Sequence, residues 1–533
     1  MNAQFAGWGV LAALVAAGAF ACSSSAEADD GAFPTPGAGG FQSAGGASAG
    51  PSSGGAVASL GGRPPEREEE SSYLAPVVTG KYLWTANPLS GRVALIDATT
   101  LSVTLGSAGD QPTQVAGLPD TADQFGALVL NERSNDATLF RVDEAGGLKA
   151  SAPIRTHDDA NAWSVSPNGS YAVAWTDSRR FTSVSRLQTF QDVTLIHIEA
   201  ERERSETISI GARPSGFFWS PDERYAYAVT DEGISVIDLT QASPSTHLIS
   251  VSDRIEDPNQ RDISFAKDRS FAAIRQEGSR SIALVQLPSG QRQSLELGGI
   301  VTDLDLDTAN DRGVAALGVD EKLVLFPLPP ADPTQLTTLD LKGERFGAVA
   351  LNPDGTNALL YSTVLGSTTL LRVDLAPGDG FLSFRRQNLI SPVTSLFQAP
   401  DARYAVAFQQ VPVGSTKAGV FSLLSMKADR VPKIVATSAA PDRIAFSAEG
   451  TRALITLRSD ALRSFGAYLV AFENQQTDLI ELASPPVAAG VVPAAERAFI
   501  AQAHPEGRIT FVSLDGSDVR TVTGFELSAR IRE

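Results

Sequence analysis

The chain of 533 residues contains a single cysteine, Cys22. A lone thiol excludes any internal disulfide, so the fold must hold without covalent staples. Histidine is nearly as scarce. The four present, His157, His197, His247 and His504, form no His-x-His or His-Glu-x-x-His pair, which leaves no local imidazole site for zinc. Basic residues are outnumbered, 43 Lys and Arg against 61 Asp and Glu, giving a net charge of −18. Such a chain is repelled by phosphate backbones and anionic headgroups, so nucleic acid is a poor partner. Long apolar runs are missing too. The strongest, from about Val10 to Phe20, is short for a membrane span and suits the apolar core of an export signal.

What is present begins at that run. It ends Ala19-Phe20-Ala21-Cys22, with small residues at the cleavage positions and the chain's one cysteine directly after them. This arrangement resembles a bacterial lipoprotein signal. The resemblance implies that residues 1–21 are a signal peptide, that Cys22 is lipidated, and that the protein is exported to the bacterial envelope, at the outer membrane or cell surface. Residues 22–72 are rich in Gly, Ser, Ala and Pro and close on the charged run Arg63 to Glu70. Such a segment buries too little surface to offset its ordering entropy and is expected to be a flexible tether. About fifty residues of it reach roughly 40 Å, enough to hold a folded body clear of a membrane.

From residue 73 to 533 one pattern recurs: an apolar strand, a turn, a second apolar strand, a loop, and a third strand often closing on Asp. The clearest copy runs Phe217-Phe218-Trp219-Ser220-Pro221-Asp222-Glu223-Arg224-Tyr225, followed by Gly233 to Leu239. Others start at Trp163, Val349, Phe397 and Phe446. Pro presets φ for such a turn, Asp or Asn bonds its amides and Gly takes the positive φ. Turn centres fall near residues 80, 119, 167, 221, 267, 309, 353, 400, 448 and 494, a spacing of about 40 to 55 residues. Matching third strands end at Asp97, Asp143, Asp374 and Asp515, each able to start an Asx turn. Each unit has room for four short strands, and four-stranded units at this period are propeller blades. The expectation is therefore an all-β fold, a β-propeller of about ten four-stranded blades, arranged as one large ring or as two tandem propellers.

The unit at Tyr82-Leu83-Trp84-Thr85-Ala86-Asn87, continuing Ser90-Gly91-Arg92-Val93-Ala94-Leu95-Ile96-Asp97-Ala98-Thr99-Thr100, resembles the YVTN-type β-propeller repeat. The resemblance implies the fold, an extracytoplasmic location and a scaffold role, and it specifies no activity.

Catalytic patterns are weak. Gly46-Ala47-Ser48-Ala49-Gly50 has the spacing of a hydrolase nucleophile elbow but sits in the low-complexity tether, without the strand and helix the elbow needs. Asp303-Leu304-Asp305-Leu306-Asp307 alternates carboxylates, yet Thr308 and Val314 stand where a calcium loop wants Gly and Glu. Read as a strand, it puts three carboxylates on one face, to meet water, a cation or arginines. Trp84, Trp163, Phe218, Trp219, Tyr225 and Tyr404 occupy repeat positions and are expected to pack blade on blade. Asn168-Gly169-Ser170 is a glycosylation sequon that doubles as a hairpin turn.

These readings point to a non-enzymatic binding or scaffold module displayed at the envelope. Its partner is an unidentified protein or envelope ligand, it is attached to the membrane through the N-terminal lipid, and it needs no cofactor. The alternative is a propeller hydrolase, lactonase or redox enzyme with metal-binding carboxylates on the axis. The two differ in whether carboxylates and histidines of different blades converge at one mouth of the channel.

Overall fold

The residues from Gly216 show how one blade forms. Strands Gly216–Trp219, Tyr225–Thr230, Gly233–Asp238 and Ser245–Ser250 pair antiparallel in chain order. The first turn closes when Ser220 N donates to Tyr225 O at 2.9 Å. The Ser220 hydroxyl donates to Asp222 Oδ1 at 2.6 Å, and the same oxygen accepts from Arg224 N at 3.2 Å. After the third strand, Asp238 Oδ1 accepts from Thr240 N at 2.8 Å, the Asx turn that a strand-ending Asp favours.

The computed structural model describes residues 76–119, 125–143, 145–181, 188–199, 203–251, 261–307, 310–328, 335–375, 382–426, 430–504 and 506–525. They contain ten such sheets, here called blades 1 to 10, spanning residues 77–107, 112–155, 162–209, 216–250, 261–296, 303–340, 348–388, 393–437, 440–481 and 486–523. The expected turn centres all fall between the first and second strands of a blade. Two short 3₁₀ turns, Ser178–Arg180 and Pro493–Ala495, lie between strands.

Exposure orders each blade radially. Fourth strands such as Ser383–Asn388 and Gln476–Glu481 alternate exposed and half-buried residues and form the rim. First strands lie innermost and touch those of the neighbouring blades. Between blades the core is apolar: Val314, Leu323, Phe346, Leu360 and Leu371 join blades 6 and 7, and Phe408, Phe421, Ile444, Ile455 and Phe472 join blades 8 and 9.

Blade 1 meets blade 10 in the same way. Leu83, Ala94 and Ile96 share a buried cluster with Phe499, Ile509 and Phe511, and Phe525 beyond the last strand covers it. The ring is thus closed by side-chain packing, since all four strands of blade 1 come from one end of the repeat region and all four of blade 10 from the other. The chain is a ten-bladed β-propeller in one ring, which excludes the tandem arrangement.

Because each blade is a meander, its first and third turns share one end, the upper face. Its second turn and the link to the next blade share the other, the lower face. The N-terminal segment joins blade 1 at Val77, the lower end of an innermost strand, because the upper turn of that hairpin lies past Thr79, which pairs with Tyr82. Residues 1–75, including Cys22, the Gly46 to Gly50 motif and the whole tether, lie outside the described residues.

Candidate functional site: a polar cleft between blades 2 and 3

The sequence candidates come first. Asp303, Asp305 and Asp307 do form a strand; Asp303 and Asp305 bond backbone N–H groups, and Asp307 meets an arginine. Asp303 is 7% exposed; its Oδ1 accepts from Leu304 N at 2.9 Å and its Oδ2 from Val349 N at 2.8 Å in blade 7. Asp305 repeats the pattern two residues on, accepting from Leu306 N at 2.9 Å and Leu351 N at 2.9 Å. The step of two in the same sense on both strands means that neighbouring first strands run parallel. Asp307 accepts from Asn310 Nδ2 at 2.7 Å and Arg312 Nε at 3.3 Å, while Arg312 donates to Leu375 O at 2.8 Å and Gly355 O at 2.5 Å. An innermost strand has one edge with no strand beside it, and these carboxylates satisfy the N–H groups that edge would leave orphaned. Their role is to join blade 6 to blade 7.

The aromatics also bridge blades. Trp219 Nε1 donates to Ser164 Oγ at 2.8 Å and its ring stacks on Tyr171; Phe218 stacks on Phe265 at 4.3 Å, and Tyr404 on Phe472 at 4.9 Å. Tyr225 stacks within its own blade on Tyr227, while Trp84 is buried with Nε1 donating to Thr79 Oγ1 at 2.7 Å. Half-buried Trp163 packs toward blade 2. Asn168 lies in the first turn of blade 3, and its backbone N–H donates to the Glu223 carboxylate of blade 4.

The four histidines do not converge. His197 ends the third strand of blade 3, with Nε2 2.7 Å from Glu206 Oε1. His247 lies in the fourth strand of blade 4, and His504 in a lower turn of blade 10. No group of three or more His, Cys, Asp or Glu placed to hold a metal occurs among the described residues.

The site that sequence reading missed surrounds His157. The fourth strand of blade 2 is broken by Ser151-Ala152-Pro153 into Leu148–Ala150 and Ile154–Arg155, because Pro cannot donate to the ladder. The shortened rim leaves a cleft of ≈ 720 Å³ against blade 3. Its lining includes Arg155, Asp158, Thr189, Gln191, Asp192, Glu206, Thr207 and Ser209. Phe190, also in the wall, stacks face to face on Phe181 at 5.6 Å and holds φ at 48°, a strained conformation for a bulky side chain.

His157 is held neutral. Its backbone N–H donates to Thr194 Oγ1 at 2.8 Å, and that hydroxyl lies 2.9 Å from Nδ1; Nε2 lies 3.2 Å from Thr176 Oγ1, which donates to Asp159 O at 3.1 Å. One tautomer satisfies every group: Nε2–H donates to Thr176 and the Thr194 hydroxyl donates to Nδ1. A second ring proton would face the Thr194 proton. Burial, against the opposing pull of Asp192, Asp158 and Asp159, lowers its pKa below the usual 6.5. Thr156 differs from its neighbours: it is 3% exposed, and its hydroxyl has no hydrogen-bond partner.

No protein-family model matches the chain, and no curated protein does. Solved structures do match. Dihydro-heme d1 dehydrogenase NirN in complex with DHE is 10% identical, over 76% of this chain and 75% of that one, with a TM-score of 0.43. Apo AztD from Citrobacter koseri is 14% identical over 77% of this chain and 97% of its own, with a TM-score of 0.38. The Cps50 (Swd1) β-propeller domain of Myceliophteria thermophila is 11% identical over 58% and 96%, with a TM-score of 0.32. The likeness is one of fold, and it carries nothing about ligand or reaction.

Proposed function

We propose that the chain is a lipoprotein of the bacterial envelope whose propeller, built from YVTN-type repeats, is a binding module for a hydroxyl-rich ligand such as a saccharide. The N-terminal part of this reading rests on Cys22, the only cysteine, behind an export-type apolar run, and on the fifty-residue tether after it. The repeat assignment rests on the unit from Tyr82 to Thr100. The binding role rests on one observation: a cleft of ≈ 720 Å³ between blades 2 and 3 whose walls are hydroxyls, carboxylates, an amide and the Arg155 guanidinium beside the Phe190 ring. Sugars suit such walls because each hydroxyl both donates and accepts while the ring's C–H face lies on an aromatic side chain. An axial metal enzyme would need carboxylates turned to the channel, and those of Asp303 and Asp305 are engaged with backbone N–H groups.

A glycan array probed with the purified protein tests the binding role. Retention of at least one oligosaccharide class is expected, weakened about tenfold or more by Asp192→Ala together with Thr207→Val. An array without binding, or binding indifferent to those substitutions, would refute it. Metabolic labelling with a fatty acid tests the anchor: the wild type should carry label, Cys22→Ser should not.

A further inference from the structure

Surface apolar side chains are not spread evenly over the ring. The described residues leave fourteen large hydrophobic side chains exposed, and eight of these sit on the lower face, at second turns or blade-to-blade links. The upper face has one, Val431, and the rest are on fourth strands at the rim. Six of the eight belong to consecutive blades: Val319 in blade 6, Val364 in blade 7, Ile390 on the link to blade 8, Val411 and Val413 in blade 8, and Leu462 in blade 9. Val413 is 107% exposed and Leu462 64%, so these side chains point into solvent from hairpin tips. Around them, Lys342, Arg345, Lys417 and Arg463 balance Asp320, Glu321, Glu344 and Asp460. This sector is therefore electrically neutral on a chain of net charge −18.

We propose that this sector of the lower face docks on a lipid bilayer, its apolar tips entering the boundary between headgroups and acyl chains. Three observations favour a bilayer over a protein partner. The exposed side chains are spread over turns and a link of four successive blades, which suits a broad fluid surface that can close around each. The sector lacks the excess negative charge that elsewhere repels anionic headgroups. The N-terminal segment leaves the ring on this same face, at Val77, so a lipid on Cys22 would hold this side toward the membrane; here the inference rests on the anchor proposed above. Blades 6 to 9 lie across the ring from blades 2 and 3, so contact at the former leaves the cleft free.

The test uses the full chain carrying Cys22→Ser, which has no lipid and no other thiol. Single cysteines are introduced by Val413→Cys, Leu462→Cys or Val431→Cys and labelled with an environment-sensitive fluorophore. Vesicles of phosphatidylethanolamine with a minor fraction of phosphatidylglycerol are then added. The emission is expected to shift to the blue at 413 and 462 and to stay unchanged at 431, which is 85% exposed on the opposite face. Adding Val413→Asp and Leu462→Asp to the parent should weaken vesicle flotation about tenfold or more. Silent labels at 413 and 462 would overturn the proposal, as would an equal response at 431 or unaltered flotation of the Asp variant. The anchor is read separately: no fatty-acid label on the wild type would remove the anchor and leave a vesicle response at 413 standing.

Discussion

A carboxylate placed between two strands can do the work of a missing strand. Asp305 accepts one N–H from its own strand and one, that of Leu351, from blade 7. Asp305→Ala is expected to lower unfolding stability by about 1–3 kcal/mol in urea titration, and Asp305→Asn by less, since one acceptor oxygen remains. His157 makes a pH prediction. Its pKa is lowered in the folded protein, so below pH 6.5 the unfolded chain binds more protons than the folded one. Stability is then full above that pH and falls as pH drops toward the folded value. Melting temperature should decline between pH 7 and 5, and His157→Gln should flatten the decline. An equal slope in both proteins would show that other groups set it. Neither feature could be read beforehand, because Val349 lies 46 residues from Asp303 and Thr194 lies 37 from His157.

At the scale of the element, the turn is what the sequence spells most clearly. Ser-Pro-Asp, Asn-Pro-Asp-Gly and their relatives fix φ and supply local acceptors, so first hairpins such as those at Ser220 and Asn352 could be placed from residues within five of one another. The interruption of blade 2 was also written, in Pro153, yet its meaning was not: a broken rim strand becomes a cleft only when blade 3 stands beside it. Turns also hold neighbouring blades. Gly355, at φ 67°, sits where an added Cβ would meet the Asp307 carboxylate at 2.2 Å, and its carbonyl accepts from Arg312. Gly355→Ala is expected to cost about 2 kcal/mol or more, through both the positive φ and the displaced Asp307 and Arg312 pair. The check is a thermal melt beside Gly343→Ala, which is strained in φ alone because no atom lies near its Cβ position.

For the whole molecule, period and strand composition were enough to expect blades and their number, but not closure. Whether ten units make one ring or two depends on Leu83 meeting Phe511, residues from opposite ends of the repeat region. The tether makes no such demand: deleting residues 23–72 should leave the melting temperature nearly unchanged, and a large drop would mean that this segment packs on the ring. Removing blade 10 strands is different in kind. In an open array a terminal unit is worth about one interface. In a closed ring, loss of residues 496–533 uncovers Ala488 and Val492 of blade 10 together with Leu83, Ala94 and Ile96 of blade 1, and opens contacts on both sides of the gap. Truncation after Ala495, followed by calorimetry and gel filtration, therefore tests the single closed ring most directly. The truncated chain is expected to aggregate or to lose its cooperative melt. A soluble monomer that melts cooperatively near the full-length temperature would contradict the closed ring.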